Sequence, residues 1–147
     1  MWKNKRTLFT SIATILTLLL FLCRFASIIG PDGDILNIMY YEKTSYVVML
    51  IMLLAAGICA VFCYKVPLLQ SRVCMLTALM ELGFQIWLVS DFLRFRNEMV
   101  FSASMLFPTL SMALNIIAAR CALTDGIAQQ AAMAILKKRS KKNNGQI

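Results

Sequence analysis

Apolar residues dominate four stretches of the chain, and each stretch ends where charged or chain-breaking residues gather. A helix rising about 1.5 Å per residue needs roughly 20 apolar residues to cross a hydrocarbon core about 30 Å thick. Four segments meet that length, at about residues 7–29, 45–64, 69–93 and 99–122, and the second holds no charge anywhere inside it. Gly30-Pro31-Asp32-Gly33 closes the first and Lys65-Val66-Pro67 the second, both of them helix-stopping sequences. Tyr40, Tyr41, Tyr46 and Tyr64, with Trp2 and Trp87, fall near the expected headgroup depths, as an aromatic belt does. Short loops make consecutive helices antiparallel neighbours. The predicted fold is therefore all-α, an integral membrane up-down four-helix bundle forming a single domain over residues 1–147.

Lysine and arginine orient such a bundle, because positively charged loops are retained in the cytoplasm. One side collects Lys3, Lys5, Arg6, Lys65, Arg72, Arg120, Lys137, Lys138, Arg139, Lys141 and Lys142. The loops of the other carry Lys43, Arg94 and Arg96, together with Asp32, Asp34, Glu42, Asp91 and Glu98. Eleven against three predicts cytoplasmic amino and carboxyl termini, with the acidic Gly30 to Thr44 loop outside. The basic start imitates a signal peptide, but the apolar run from Leu8 to Cys23 is too long for a signal core. Arg24 also stands where a small-residue cleavage motif would begin.

Beyond the fourth span, Thr124-Asp125 reads as a helix start, with Thr124 as its cap and Asp125 in its first turn. Ile127 to Leu136 then forms either a short C-terminal cytoplasmic helix or a continuation of the fourth span. The basic tail, residues 124–147, contains Lys137, Lys138, Arg139, Lys141 and Lys142. These are candidate contacts for anionic lipid, each attracted by about 1 kcal/mol near the surface. A stop-transfer anchor leading into a disordered tail is the plainer alternative.

Composition strengthens the membrane reading: 60% hydrophobic residues and a mean hydropathy of +0.73 exceed the roughly 45–50% apolar usage of soluble domains. The net charge of +8 does not point to nucleic acid, because the basic residues flank apolar runs and form no basic face of a soluble domain. Cys23, Cys59, Cys63, Cys74 and Cys121 lie in apolar stretches without paired spacing and read as small hydrophobes. A soft-metal site from Cys63, Cys74 and Cys121 is conceivable near one membrane face. Histidine is absent, which removes the commonest general base and metal ligand. No nucleophile elbow and no paired carboxylates replace it. The expectation is a protein that is not an enzyme, with no catalytic residue, cofactor or metal.

Polar groups inside the spans are the remaining signal, and Glu81 leads them, near the middle of the third span. A carboxylate there costs a few kcal/mol on insertion scales, so it faces the bundle or is protonated. Helical spacing aligns Gln70, Cys74, Thr77, Glu81 and Gln85. The first span offers Thr10, Thr14, Thr17 and Arg24, the fourth Ser104, Ser111 and Asn115, and the second the small residues Ala56, Gly57 and Ala60. Depth alone permits a link from Arg24 through Gln85 to Glu81, with Thr77 and Asn115 completing an intramembrane network; Arg24 otherwise snorkels to headgroups or meets Asp91. The network reads first as interhelical glue. The alternative is a proton or cation site in a small transporter, centred on Glu81. The leading expectation is a non-enzymatic structural or interaction component, partnered by the lipid bilayer and by another membrane protein or itself.

Two longer motifs carry a resemblance. The run Phe62-Cys63-Tyr64-Lys65-Val66-Pro67-Leu68-Leu69-Gln70-Ser71-Arg72-Val73-Cys74-Met75-Leu76 is one. Pro108 followed by Leu114-Asn115-Ile116-Ile117-Ala118-Ala119-Arg120, with Asp125 five residues on, is the other. Together they resemble the small four-span membrane proteins of Bacteroidota that carry domain of unknown function 4293. The amino terminus departs from that family's usual start, and Thr124-Asp125-Gly126 lacks its charged triplet. The resemblance implies a multi-pass protein of a bacterial inner (plasma) membrane and no particular activity. It also implies one cytoplasmic-face cluster of Tyr64, Lys65, Gln70, Arg72 and Arg120 with Asn115 nearby, although Lys65, Arg72 and Arg120 equally serve as positive-inside anchors.

Overall fold

The computed structural model describes residues 5–29, 34–97 and 99–144, with side chains described as far as residue 138. Trp2, Lys3 and the Gly30 to Gly33 stop lie outside the described residues. Helix α1 covers Lys5–Leu20, and a turn leads to strand β1, Arg24–Ile29. Strand β2, Ile35–Met39, and a 3-10 turn at Tyr40–Glu42 precede α2, Thr44–Phe62. A second 3-10 turn, Cys63–Lys65, joins it to α3, Pro67–Phe95, which carries Pro67 in its first turn, where a missing N–H costs nothing. Strand β3 is Val100–Phe101, a 3-10 turn spans Ala103–Leu106, and α4 runs from Phe107 to Asn144.

The four helices close a ring: α1 packs on α2, α2 on α3, α3 on α4 and α4 on α1. One end gathers Leu20 of α1, Tyr46 and Leu50 of α2, Phe84 and Leu88 of α3, and Met105 and Phe107 at the start of α4. Consecutive helices therefore alternate in direction, as short connections require. Three of them, Thr44–Lys65, Pro67–Phe95 and Ala103–Lys138, are long and apolar enough to cross a membrane.

The first predicted span needs correction. Residues 7–29 were expected to form one helix, but α1 stops at Leu20 and residues 24–29 form the middle strand of a sheet ordered β2-β1-β3. Both neighbours are antiparallel, with Ser27 opposite Asn37 on β2 and opposite Val100 on β3. An apolar run of this kind fits a buried helix or a strand equally by periodicity. What selects the strand is hydrogen-bond partners on both sides, which stand 10 and 73 residues from Ser27 in the chain. Residues 99–106, placed at the start of the fourth span, likewise form β3 and a 3-10 turn, so α4 begins at Phe107.

The sheet end is packed with rings. Phe25 meets Tyr40 at 5.4 Å, Tyr46 at 5.2 Å and Phe101 at 5.4 Å between centroids, all edge to face. Tyr46 in turn stands edge-on to Phe84 and Trp87. Such pairs add about 0.5–1.5 kcal/mol each beyond area burial. The opposite end uses small residues instead: Ala60, Cys74, Ala118 and Ala119 are buried together, which lets the helix backbones approach.

Candidate functional site

Halfway along the bundle, α3 turns Glu81 inward, leaving it 1% exposed. Ser111 and Asn115 are one helical turn apart on α4, so they share a face and both reach it. The Ser111 hydroxyl is hydrogen-bonded to Glu81 Oε1, and Asn115 Nδ2 donates to Oε1 at 3.1 Å and to Oε2 at 3.0 Å. Ser111 Oγ also lies 3.1 Å from the Ala13 carbonyl and 3.4 Å from Thr17 Oγ1. One carboxyl group thus ties α3 to α4 and, through Ser111, to α1.

Only part of the expected network assembles here. Glu81 and Asn115 come together as predicted. Thr77 is buried but returns its hydroxyl to the Val73 carbonyl of its own helix at 2.9 Å. Gln85 Oε1 is buried without a hydrogen-bond partner among the described residues. Arg24 takes no part: its guanidinium donates to Asn37 Oδ1 at 3.2 Å, across the β1–β2 pair. The proposed link from Arg24 to Glu81, and the alternative of Arg24 meeting Asp91, both fail because residue 24 sits on a strand and not on a helix directed down the bundle.

Asp91 has other partners. Lys43 Nζ stands 2.5 Å from its Oδ2, and the Tyr46 hydroxyl donates to the same oxygen. Lys43 also lies 4.5 Å above the Tyr46 ring. This cluster fastens the start of α2 to the end of α3.

At the other end, of the expected cluster of Tyr64, Lys65, Gln70, Arg72 and Arg120, Lys65 lies over the Tyr64 ring with its Nζ 6.0 Å from the centroid. Tyr64, Lys65, Arg72 and Arg120 are exposed, whereas Gln70 is fully buried, and its side-chain amide has no partner among the described residues. The organising residue is Arg6, which donates to the Tyr64 carbonyl at 2.9 Å and to Asp125 Oδ2 at 3.3 Å. Beside it, Lys5, Arg6, Cys121, Thr124 and Asp125 line a cleft of about 350 Å³. The pairing of Arg6 with Asp125 spans 119 residues, and no local pattern announces it.

Thr124 caps nothing, since its hydroxyl donates back to the Cys121 carbonyl at 2.9 Å and α4 passes through it unbroken. Of the two readings of Ile127 to Leu136, the structure takes the continuation of the fourth helix in place of a separate short helix. Lys137 and Lys138 are exposed on it. The side chains of Arg139, Lys141 and Lys142 lie outside the described ones. Cys74 Sγ faces Thr10 Oγ1 at 3.5 Å, and among the described residues Cys63, Cys74 and Cys121 form no three-ligand group.

Between α3 and α4, Met75, Ala78, Leu79, Leu82, Met112 and Ile116 line an apolar groove of about 160 Å³ on the outer surface of the bundle. No model of a known protein family matches the chain, and no match is found among curated proteins.

Proposed function

We propose that the chain is a non-enzymatic membrane component that acts by packing and lateral association, with Glu81 as the internal fastening of its bundle. The sealing of Glu81 carries this reading. A transport site requires alternating access to water, whereas here the carboxyl is enclosed by Ser111 and Asn115. The outward faces of α1 to α4 offer apolar surface to lipid or to a neighbouring helix, with Leu79, Ile86 and Leu110 all more than half exposed.

The finer topology belongs to the same proposal. All four helices cross, α1 spanning the thickness with help from the turn and strand that follow it, and the Arg6, Lys65 and Arg120 end faces the cytoplasm. Membership in the Bacteroidota family, in the inner membrane, is likewise proposed on the residues 62–76 and 108–125 that resemble it.

Glu81→Gln keeps shape and hydrogen bonding, and it is expected to leave folding and any growth phenotype unchanged. Glu81→Ala is expected to lose folded protein in mild detergent. A folded Glu81→Gln protein that loses a pH-dependent ion flux in vesicles would establish the second reading, a proton- or cation-linked transporter. Lateral association is tested by a photo-crosslinker at Leu79, where a discrete adduct with a second copy or a membrane protein is expected. Labelling of lipid alone overturns it.

A further inference from the structure

The hydrogen atoms around Glu81 do not suffice for an ionised carboxylate. Four oxygen–oxygen contacts converge there: Glu81 to Ser111, Ser111 to the Ala13 carbonyl, Thr17 to the same carbonyl at 3.1 Å, and Thr17 to Ser111. A carbonyl oxygen only accepts, and each hydroxyl owns a single hydrogen. With Glu81 ionised, Ser111 must give its hydrogen to the carboxylate. Its contact with the Ala13 carbonyl is then left without one.

An acid proton on Oε1 removes the conflict. Glu81 donates to Ser111 Oγ, Ser111 donates to the Ala13 carbonyl, and Thr17 donates beside it, while Asn115 supplies Oε2. A continuous chain then runs from α3 through α4 to the backbone of α1.

Charge leads to the same answer independently. Residues 7–23, 44–64, 73–90 and 100–119 contain no Asp, Glu, Lys or Arg apart from Glu81 itself. Neither ion pair among the described residues includes it. An anion enclosed there would have no cation within any of those four stretches, and its burial would go uncompensated.

We infer that Glu81 is a proton-binding site, occupied in the folded protein at neutral pH, with the proton on Oε1 and donated to Ser111. The inference rests on the same sealed geometry as the packing reading, yet the two fail separately. An ionised Glu81 overturns the inference and leaves packing intact, whereas ion flux lost in a folded Glu81→Gln protein overturns packing alone.

Infrared spectra of the whole chain in lipid vesicles, with and without carbon-13 at the glutamate carboxyl, read the proton directly. The chain has three glutamates, Glu42, Glu81 and Glu98, and Glu42 is exposed. The labelled wild type at neutral pH is expected to show one isotope-shifted C=O stretch of a carboxylic acid, absent from Glu81→Gln. In Ser111→Ala the acid loses its acceptor, so the band is expected to move to higher frequency. That shift assigns the band to Glu81 even where Glu81→Gln fails to fold. Carboxylate stretches alone in the labelled wild type, or an acid band indifferent to both substitutions, overturn the inference.

Discussion

Ser111 is the side chain on which the interior network turns, because from α4 it touches groups of both α3 and α1. Ser111→Ala is expected to cost on the order of 1–2 kcal/mol in reversible unfolding from mixed micelles, the range for a buried interhelical hydrogen bond. Glu81 and Asn115 were recognisable from spacing alone, because a polar residue in a span must turn inward. Ser111 carried the same signal, one turn before Asn115 on the same face, but hydroxyls are common enough in membrane helices to give little weight. Tyr40, outside the spans, shows burial acting on a different group. Loss of hydration pushes its phenol up to about 12, against the lowering effect of its hydrogen bond to Ser104. An ordinary tyrosine ionises near 10, so the folded state holds this proton more tightly than the unfolded one. The associated stability is complete below about pH 10 and is lost as pH rises toward 12. Tyr40→Phe is expected to flatten that part of an alkaline unfolding curve.

Helix α2 has no charge along its length, and its place in the ring is set by close approach and by its ends. A methyl group built on Gly57 would come within 2.7 Å of Thr14 Oγ1 and 3.2 Å of its Cγ2, so the glycine marks where α1 and α2 touch. Gly57→Leu is expected to destabilise the bundle by roughly 1–3 kcal/mol, as overpacking does; thermal unfolding in detergent measures it. Thr14→Ala is expected to recover part of the loss from the milder Gly57→Ala. The second and third spans matched α2 and α3 closely, because uninterrupted apolar runs with Pro67 between them allow few alternatives. The first failed at residues 21–29, where the partners that make β1 a strand are remote in sequence. Gly126, where α4 continues although a start was expected, lies against Leu68 in the first turn of α3, and a Cβ there would come within 2.8 Å of the leucine side chain. Helix α4 therefore packs closely on the start of α3 as it passes.

Taken together, the ring of helices, the sheet at one end and the basic residues at the other give the molecule two unlike ends, on which the proposed orientation rests. Impermeant amine labelling of intact cells is expected to spare Lys65 and Lys137 and to reach Lys43 or a lysine introduced at Asn37. Labelling of Lys65 from outside would reverse the proposed orientation. Length and hydropathy were enough to mark out three helices long and apolar enough to cross a membrane, because uninterrupted apolar runs of that length show directly in the sequence. Charge at the loop ends was enough to propose an orientation. Which polar groups meet was a matter of three dimensions. Arg24 pairs with Asn37 and not Glu81, Lys43 takes Asp91, and Arg6 takes Asp125, because each partner is delivered by a different element whose position depends on how the others pack. Local pattern constrains what a residue must avoid, water or lipid, whereas its partner depends on the register and rotation of whole helices and strands.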